Sequence, residues 1–487
     1  MTSPHQTNGY QMKTAIKETL LITLVVICLA AMTACGGGGG NSSRPSPSPT
    51  PVTTQSQLQG VWEKRGYGLV LEVSGNRVAA YDFTTQTCAR QPVDDLSSLT
   101  SELDTITADG DEFTLRAAPT GFVDRYFKIA SLPTACSTPI GVSAIELFEH
   151  TWHTFNEYYA FFVERNVDWL AQYDAVRPTI HDGMSDEALF AAISDLVSPI
   201  DDVHISIKAG DDVFSPGSPK GFFDDFRTEY EAQNEIASVE DYFAQELNTA
   251  LGIIDNAYLD NEYVEAGGPS DDFFKWGLIG DDIGYLFVGA FILQFDRTIA
   301  DQLSDVEHVL DQALSDLDGT DALIIDVRLS PGGADPIAIA VANRFADMER
   351  LALRKHTRTI EGEGAPQEVS LIKSSRVTYN NPVVVLTSGF SASATEIFSL
   401  AMRSLPHVTL VGEPTIGALS DVLEKPLPNG WQVDLANEVY TDAGGFTYEV
   451  TGVPPHIEVP AYRKSERDIG QDSAINAALT VLGVETN

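Results

Sequence analysis

Two segments that end hydrophobic runs contain the small residues and hydroxyl groups from which a hydrolytic site can be built. The first is a β-rich run at residues 324–329 that leads through Ser330 and Pro331 into Gly332 and Gly333. Consecutive glycines let backbone N–H groups approach a ligand closely, as an oxyanion hole requires. Because Pro-Gly-Gly is also a routine turn, this segment alone is a weak indication of chemistry.

The second segment is a buried-strand pattern at residues 383–387, followed by a turn of small residues and a helix that begins near Ser393. A serine at such a turn presents its hydroxyl at the positive end of the helix, which favours developing negative charge and suits a nucleophile. The alternative is that Ser391 or Ser393 only caps the helix, a role that serine fills very often. Taken alone, the segment favours capping.

Four motifs in a fixed order give these two segments a family context. The segments 324–333 and 391–397 are followed by 411–417 and 452–459. Together they resemble the tail-specific (C-terminal processing) protease family, which includes tricorn protease, over residues 280–462. The resemblance implies an α/β core of the tail-specific protease type, a layered β-sheet with crossover helices, and the activity of a serine-type peptidase, a hydrolase.

The resemblance also implies roles for individual residues. In that family the nucleophile is the serine three residues before the glutamate of Ser-Ala-Ser-x-x-Glu, which here is Ser393. The backbone N–H of Ala394, opposite the turn of Gly332 and Gly333, would then donate to the oxyanion.

The basic lysine of the Ser/Lys members of the family is missing here. Its position, after the glycine of Gly-Glu-x-Thr-x-Gly, is Ala418, and Lys425, seven residues further on, does not match the motif. We therefore expect replacement of Lys425 to be nearly silent in activity. Because a serine without a base is a poor nucleophile near neutral pH, either the protein is inactive or another residue is the base.

The tricorn-like branch of the family suggests such a base. Its members use a histidine just after the helical cap, which His204 in the segment 198–207 resembles, and a glutamate on a late strand, which Glu438 matches. The resemblance thus implies a Ser–His–Glu triad in which His204 takes the proton of Ser393 and Glu438 orients the imidazole. The additional serine of tricorn protease, just before the histidine, is replaced by Val203. Four more acids remain candidates for the orienting role: Glu424, Glu449, Asp201 and Asp202.

Changes in hydrophobic period divide the chain into regions. Short alternating runs predict a small antiparallel β-domain, and spacings of three and four residues behind a capping box at Ser143 and Glu146 predict a helical cap. Alternating strands and helices then predict the α/β core. The acidic segment before the core has no Gly-Leu-Gly-type carboxylate loop, so no PDZ domain is expected there. The predicted regions are 1–34 (signal peptide), 35–56 (tether), 57–140 (β-domain), 142–207 (helical cap), 208–275 (acidic insert of unknown structure) and 276–487 (α/β core).

The N-terminal region resembles a bacterial lipoprotein signal peptide. A short positive region precedes an apolar run at residues 20–32, too short to span a bilayer comfortably, and small residues precede Cys35. We expect lipidation of Cys35, with an ordinary secretory signal as the alternative. The protein would then be anchored in the cell envelope, and Gly36 favours the outer membrane, facing the periplasm or the cell surface. Export also predicts a disulfide between Cys88 and Cys136, with two buried free thiols as the alternative.

The composition excludes several classes of partner. Thirty Lys and Arg against 70 Asp and Glu give a net charge of −40, which repels nucleic acid and anionic membrane surfaces. Membrane contact is therefore expected through the lipid anchor only. No metal pattern, phosphate loop or nucleotide fingerprint is present, so no cofactor and no metal are predicted. We expect an envelope-anchored serine endopeptidase that hydrolyses peptides or unfolded proteins through an acyl-enzyme on Ser393. The alternative is a catalytically inactive, protease-like lipoprotein that binds peptides or hydrophobic ligands.

Overall fold

The computed structural model describes residues 56–96, 105–116, 122–217, 222–233, 236, 238–260, 263–266, 273–293 and 297–484. The predicted signal peptide and the predicted lipidation site, Cys35, lie outside these residues. Within them the chain forms four β-sheets. No helix in this part of the chain is long and apolar enough to cross a membrane.

The N-terminal β-domain contains the strands β1 (Gly60–Lys64), β2 (Leu69–Ser74), β3 (Arg77–Phe83), β4 (Cys88–Asp95), β5 (Thr105–Asp109), β6 (Glu112–Arg116) and β7 (Asp124–Ile129). They form one antiparallel sheet in the order β4-β3-β2-β1-β7-β6-β5. The ring of Phe113 meets Trp62 edge to face at 4.8 Å and stacks on Tyr126 at 4.6 Å, and these rings lie at the centre of a small hydrophobic core. Cys88 and Cys136 are joined by a disulfide.

The helical cap contains the helices α1 (Ala144–Tyr158), α2 (Trp169–Val176) and α3 (Asp186–Val197). The helix α1 begins at the expected capping box, where the hydroxyl oxygen of Ser143 accepts a hydrogen bond from the N–H of Glu146. The helix α2 was not expected, and its N-cap is Asp168.

A four-stranded sheet joins the cap to a late part of the chain. Its strands are β8 (Ser206–Ala209), β9 (Asp212–Phe214), β19 (Val422–Pro426) and β20 (Gln432–Ala436). They lie in the order β19-β20-β8-β9. The apolar faces of α1 and α3 pack on this sheet, so the cap and the late strands share one hydrophobic core.

The acidic segment, which has no clear pattern in the sequence, is largely helical where it is described. It forms α4 (Phe222–Glu231) and α5 (Val239–Ile253). The rings of Phe226 and Phe243 lie 5.0 Å apart, and Phe222 lies 5.7 Å from Phe390. These phenylalanines, which look scattered in the sequence, pack together on one face of the central sheet.

The strands of the central sheet are β10 (Val264–Glu265), β11 (Phe274–Ile279), β12 (Ile283–Val288), β13 (Ala322–Asp326), β17 (Val383–Thr387), β18 (Val408–Gly412) and β22 (Ile457–Glu458). They lie in the order β10-β11-β12-β13-β17-β18-β22, in which β12 to β22 run parallel. One face is covered by α6 (Ile299–Asp316), α7 (Asp335–Asn343) and α8 (Ala394–Arg403), and the other by α4, α5 and α10 (Ser473–Val481). The short helix α9 (Lys464–Arg467) precedes α10. This layered arrangement confirms the predicted α/β core.

A smaller sheet flanks the core and approaches the β-domain. It pairs β14 (Arg350–Thr359) with β15 (Gly362–Glu363), β16 (Gln367–Leu371) and β21 (Glu438–Asp442).

In the central sheet, β13 and β17 are parallel neighbours with Ile324 opposite Val384. The two turns that follow these strands therefore leave the same edge of the sheet, as a site built from both would require.

Candidate active site

Ser393 lies in the turn between β17 and α8, at the N-cap of the helix. Its backbone has φ 54° and ψ −124°, a conformation that residues other than glycine rarely adopt. Ser393 is partly exposed, whereas Ser391 is buried and its hydroxyl donates to the carbonyl oxygen of Val327 at 2.9 Å. Of the two candidate serines, Ser391 thus holds the turn against β13, and Ser393 is the one accessible from outside.

Glu396 fastens this turn to the loop that contains Ala418. Its buried carboxylate accepts hydrogen bonds from the N–H of Ser393 (3.1 Å), the hydroxyl of Thr415 (2.6 Å) and the N–H groups of Gly417 (2.8 Å) and Ala418 (2.9 Å). Burial raises the pKa of Glu396 to about 7, although these hydrogen bonds favour its charged form. This role was not predicted, but the capping-box position of Glu396, three residues after Ser393, was an available signal.

Gly332 lies against the Ser393 turn, and Gly333 lies against the backbone of Phe291. A Cβ atom on Gly332 would lie 2.8 Å from the Cβ of Ser393 and 3.2 Å from the backbone nitrogen of Ala394. One on Gly333 would lie 2.4 Å from the carbonyl carbon of Phe291. Both glycines also have positive φ values, 119° and 140°. Of the residues predicted to form the oxyanion hole, Gly332 and Ala394 therefore lie close together, at a spacing that leaves no room for a side chain at position 332.

His204 lies between the cap and β8 and is 2 % exposed. Its backbone N–H donates to Oδ1 of Asp202 at 2.9 Å, and its Nδ1 lies 4.0 Å from the same oxygen. Neither ring nitrogen has a hydrogen-bond partner in the described part of the chain, so no hydrogen bond joins His204 to Ser393 in this structure. Burial lowers the pKa of His204, Asp202 opposes the shift and Arg165 adds to it. The imidazole is thus neutral near pH 7 and able to accept a proton.

Glu438 makes no hydrogen bond to His204. Its buried carboxylate accepts hydrogen bonds from Lys355 at 2.9 and 3.0 Å, from the hydroxyl of Tyr440 at 2.9 Å and from the hydroxyl of Tyr67. Burial acts to raise the pKa of Glu438, but Lys355 and the hydrogen bonds lower it overall. These contacts correct the expectation that Glu438 orients the imidazole, because its oxygens are occupied by a cation and two phenols.

Asp202 is the acid that lies beside His204, as its position two residues earlier in the sequence allowed. Its side chain is fully buried, and its Oδ2 accepts a hydrogen bond from the hydroxyl of Tyr159 at 2.8 Å. A second buried acid, Glu449, lies near the same residues and is joined to Asp202 through Arg165. The carboxylate closest to the imidazole is therefore supplied by the cap itself.

The hydrogen bonds of Lys425 go to the β-domain and not to the Ser393 turn. Its Nζ donates to Oδ1 of Asp82 at 2.7 Å and to the carbonyl oxygens of Tyr67 and Gly68 at 2.6 and 3.1 Å, all in the β-domain. Its side chain is 2 % exposed. Lys425 therefore anchors the β-domain to the strand β19. Its replacement is expected to leave the activity nearly unchanged but to lower the stability of the fold.

His456, in the segment 452–459, has a structural role. The Nδ1 of His456 accepts a hydrogen bond from the N–H of Leu410 at 2.9 Å, and its own backbone N–H donates to the carbonyl oxygen of Leu410 at 2.8 Å. In the described part of the chain, no group of three or more His, Cys, Asp or Glu side chains is placed to hold a metal ion.

Comparisons with known proteins point to one family. Residues 282–459 match the sequence profile of peptidase family S41. The chain is 30 % identical over 175 residues to the carboxy-terminal processing protease CtpA of Bacillus subtilis, covering 36 % of this chain and 35 % of that protein. It is 27 % identical over 182 residues to a carboxy-terminal-processing protease of Bartonella bacilliformis, covering 37 % and 39 %. The chain thus spans little more than a third of the length of these relatives.

The fold also resembles solved structures. A crystal structure from Parabacteroides merdae, of a protein provisionally named a peptidase, superimposes with a TM-score of 0.55 at 25 % sequence identity. The superposition covers 70 % of this chain and 97 % of the other. It therefore extends well beyond the segment that matches the family profile.

Proposed function

We propose, from the match of residues 282–459 to peptidase family S41, that this chain is a serine endopeptidase with Ser393 as nucleophile and His204 as general base. The observation that carries the proposal is the Ser393 turn. Its strained backbone presents one accessible serine beside the backbone nitrogen of Ala394 and against Gly332. Such a strand–turn–helix geometry exposes a nucleophile next to oxyanion donors.

The reaction would follow the general scheme of serine peptidases. His204 removes the proton of Ser393 as Oγ attacks the peptide carbonyl carbon, and the N–H groups of Ala394 and the Gly332–Gly333 turn stabilise the oxyanion. The C–N bond breaks, and the imidazolium returns its proton to the leaving amine. Water, deprotonated in turn by His204, then hydrolyses the acyl-enzyme and restores the serine. A negative charge on Asp202 would stabilise the imidazolium in both steps.

The lack of a hydrogen bond between His204 and Ser393 is compatible with this scheme. Catalytic hydrogen bonds in substrate-free enzymes are often long and tighten only when the substrate binds. The two ring nitrogens of His204 have no other partner in the described residues, so the imidazole is not committed to a structural role elsewhere.

The substrates that fit this proposal are peptides and unfolded proteins, since an acyl-enzyme on Ser393 requires an accessible extended backbone. In the described residues between the cap and the core, the chain forms the helices α4 and α5. We do not expect cleavage to depend strictly on a free C-terminus. Substrates with amidated and free C-termini should therefore be cleaved at similar rates.

We also propose that the chain is anchored in the cell envelope by a lipid on Cys35, in the outer membrane. The support is the sequence alone: an apolar run, small residues and then a cysteine. The variant Cys35→Ser should lose incorporation of a radiolabelled fatty acid and move from the membrane to the soluble fraction. Retention of both label and membrane location by this variant would contradict lipidation at Cys35.

The nucleophile is tested by labelling the full chain with a fluorophosphonate and by measuring cleavage of an unfolded protein. Ser393→Ala should abolish both, and His204→Ala should slow both by several orders of magnitude. Ser404→Ala, at the opposite end of α8 with its hydroxyl bonded to Ala401, is the matched control and should behave as wild type. Equal cleavage by Ser393→Ala and wild type would refute the serine mechanism, and no cleavage by any of them would favour the inactive, ligand-binding alternative.

A further inference from the structure

Three successive backbone N–H groups near the Ser393 turn are held by two buried carboxylates. Glu396 accepts from Gly417 and Ala418, and Glu449 accepts from Leu419 at 2.7 Å. The loop 417–419 is thereby fixed to Ser393 on one side through Glu396. On its other side it depends on Glu449, whose side chain is 1 % exposed.

Arg165, from the loop after α1, connects this loop to the turn that contains His204. Its guanidinium, 8 % exposed, forms an ion pair with Glu449 and lies 3.4 Å from Oδ2 of Asp202. It also donates to the carbonyl oxygen of Asp201. A planar guanidinium can bond to several acceptors in a fixed geometry, which a lysine cannot do. One side chain of the cap thus contacts both the acid beside His204 and the acid that holds the core loop.

The charge of Arg165 matters as well as its shape. Asp202 and Glu449 are both buried, and burial together with Asp202 raises the pKa of Glu449 while Arg165 opposes this shift. The charged groups that face His204 are Asp202 and Arg165, with opposite effects on its pKa. Without the guanidinium, the negative charge of Asp202 would act on His204 unopposed. It would stabilise the imidazolium and so raise the pKa of His204.

We propose that Arg165 is a positioning residue that holds the His204 turn of the cap in register with the Ser393 turn of the core. The inference rests on the proposed Ser393–His204 mechanism. It predicts two separable effects of losing Arg165: a slower reaction of Ser393, and protonation of His204 at a higher pH than in the wild type.

The test is the rate constant of fluorophosphonate labelling of the full chain, measured from pH 4 to pH 9. Arg165→Met should lower the plateau rate about a hundredfold, the order expected for a misplacement of roughly 1 Å. It should also shift the acid limb of this pH profile, where the labelling rate falls as His204 is protonated, upward by about one pH unit. The matched control is Arg358→Met, because Arg358 also bonds to the cap, at Ala160 and Glu164, without contacting either turn. The control should keep the wild-type limb.

The outcomes separate the inference from the function on which it rests. Equal changes in Arg165→Met and Arg358→Met, or a wild-type profile in Arg165→Met, would overturn the role of Arg165. A wild type that is not labelled at Ser393 would overturn the proposed function, and the inference with it. If Arg165→Met does not fold, Arg165→Lys decides, because it keeps the charge but not the geometry. It should retain the acid limb and lose about tenfold in plateau rate, and a wild-type plateau would contradict the inference.

Discussion

Replacing Gly332 with alanine should remove most of the proposed peptidase activity and leave the protein folded. The new Cβ atom would lie 2.8 Å from the Cβ of Ser393 and 2.9 Å from the carbonyl oxygen of Ala392. Carbon atoms in contact are normally about 3.5 Å apart, so the two turns must separate by roughly 0.7 Å. A displacement of that order at reacting groups costs about a hundredfold in rate.

The cost of a side chain at positive φ can be measured separately, because a second glycine has nearly the same φ and no neighbouring atoms where a Cβ would lie. Gly362 has a φ of 118°, against 119° for Gly332, and a Cβ atom built on it meets nothing within 4 Å. Both substitutions place a side chain at positive φ, which costs about 1–2 kcal/mol. Only Gly332→Ala also moves the oxyanion donors away from Ser393.

The assay is kcat/KM for cleavage of a fluorogenic unfolded protein, with urea unfolding of both variants. We expect Gly362→Ala to lose about 1–2 kcal/mol of stability and to keep its activity. We expect Gly332→Ala to lose at least that much stability and about a hundredfold or more in kcat/KM. Activity of Gly332→Ala within about threefold of wild type, or an equal loss of activity in Gly362→Ala, would refute the assignment of Gly332 to the oxyanion hole.

Three further results are expected. Glu396→Gln should lose about 1–3 kcal/mol of stability in urea unfolding and most of its activity, because an amide NH₂ would face backbone N–H donors; unchanged values would contradict its role at the turn. Lys425→Met should lose about 3–5 kcal/mol by leaving Asp82 buried without its cation, whereas Lys464→Met, which breaks an exposed pair, should lose less than about 1 kcal/mol. The acid limb of kcat/KM should lie below the usual range of histidine, since burial lowers the pKa of His204, and a limb above about pH 7 would exclude His204 as the neutral base.

The core of the fold was predictable because its strands are continuous hydrophobic runs between clear turns. The predicted helix that begins near Ser393 corresponds to Ala394–Arg403, and the predicted strand at 383–387 to Val383–Thr387. The helices α4 and α5 were missed because their phenylalanines stand among acidic residues, and only tertiary packing gathers the rings. Hydrophobic periodicity shows which face of a single helix or strand is apolar, but it does not show which elements pack against one another.

The site was partly predictable for the same reason. Local signals place Ser393, Gly332 and Gly333 at the ends of hydrophobic runs, and the structure brings Gly332 to Ser393. The position of Glu438 depends on a long-range contact that no local pattern encodes. Glu438 is drawn to Lys355, a residue 83 positions away, whereas Asp202 lies two positions from His204 in the sequence. When a motif leaves several acids open, the nearest one in sequence is thus a useful first choice.

The identity of the base can be argued from the states of three buried nitrogen groups. Lys355 is held in its charged form, because Glu438 raises its pKa against the effect of burial. Burial lowers the pKa of Lys425, but its nitrogen donates to three oxygens of the β-domain and presents no free lone pair to Ser393. His204 combines a lowered pKa with two ring nitrogens that have no partner in the described residues. With alanine at position 418, the base is therefore expected to come from the cap, and the placement of the cap on the core becomes part of the catalytic machinery.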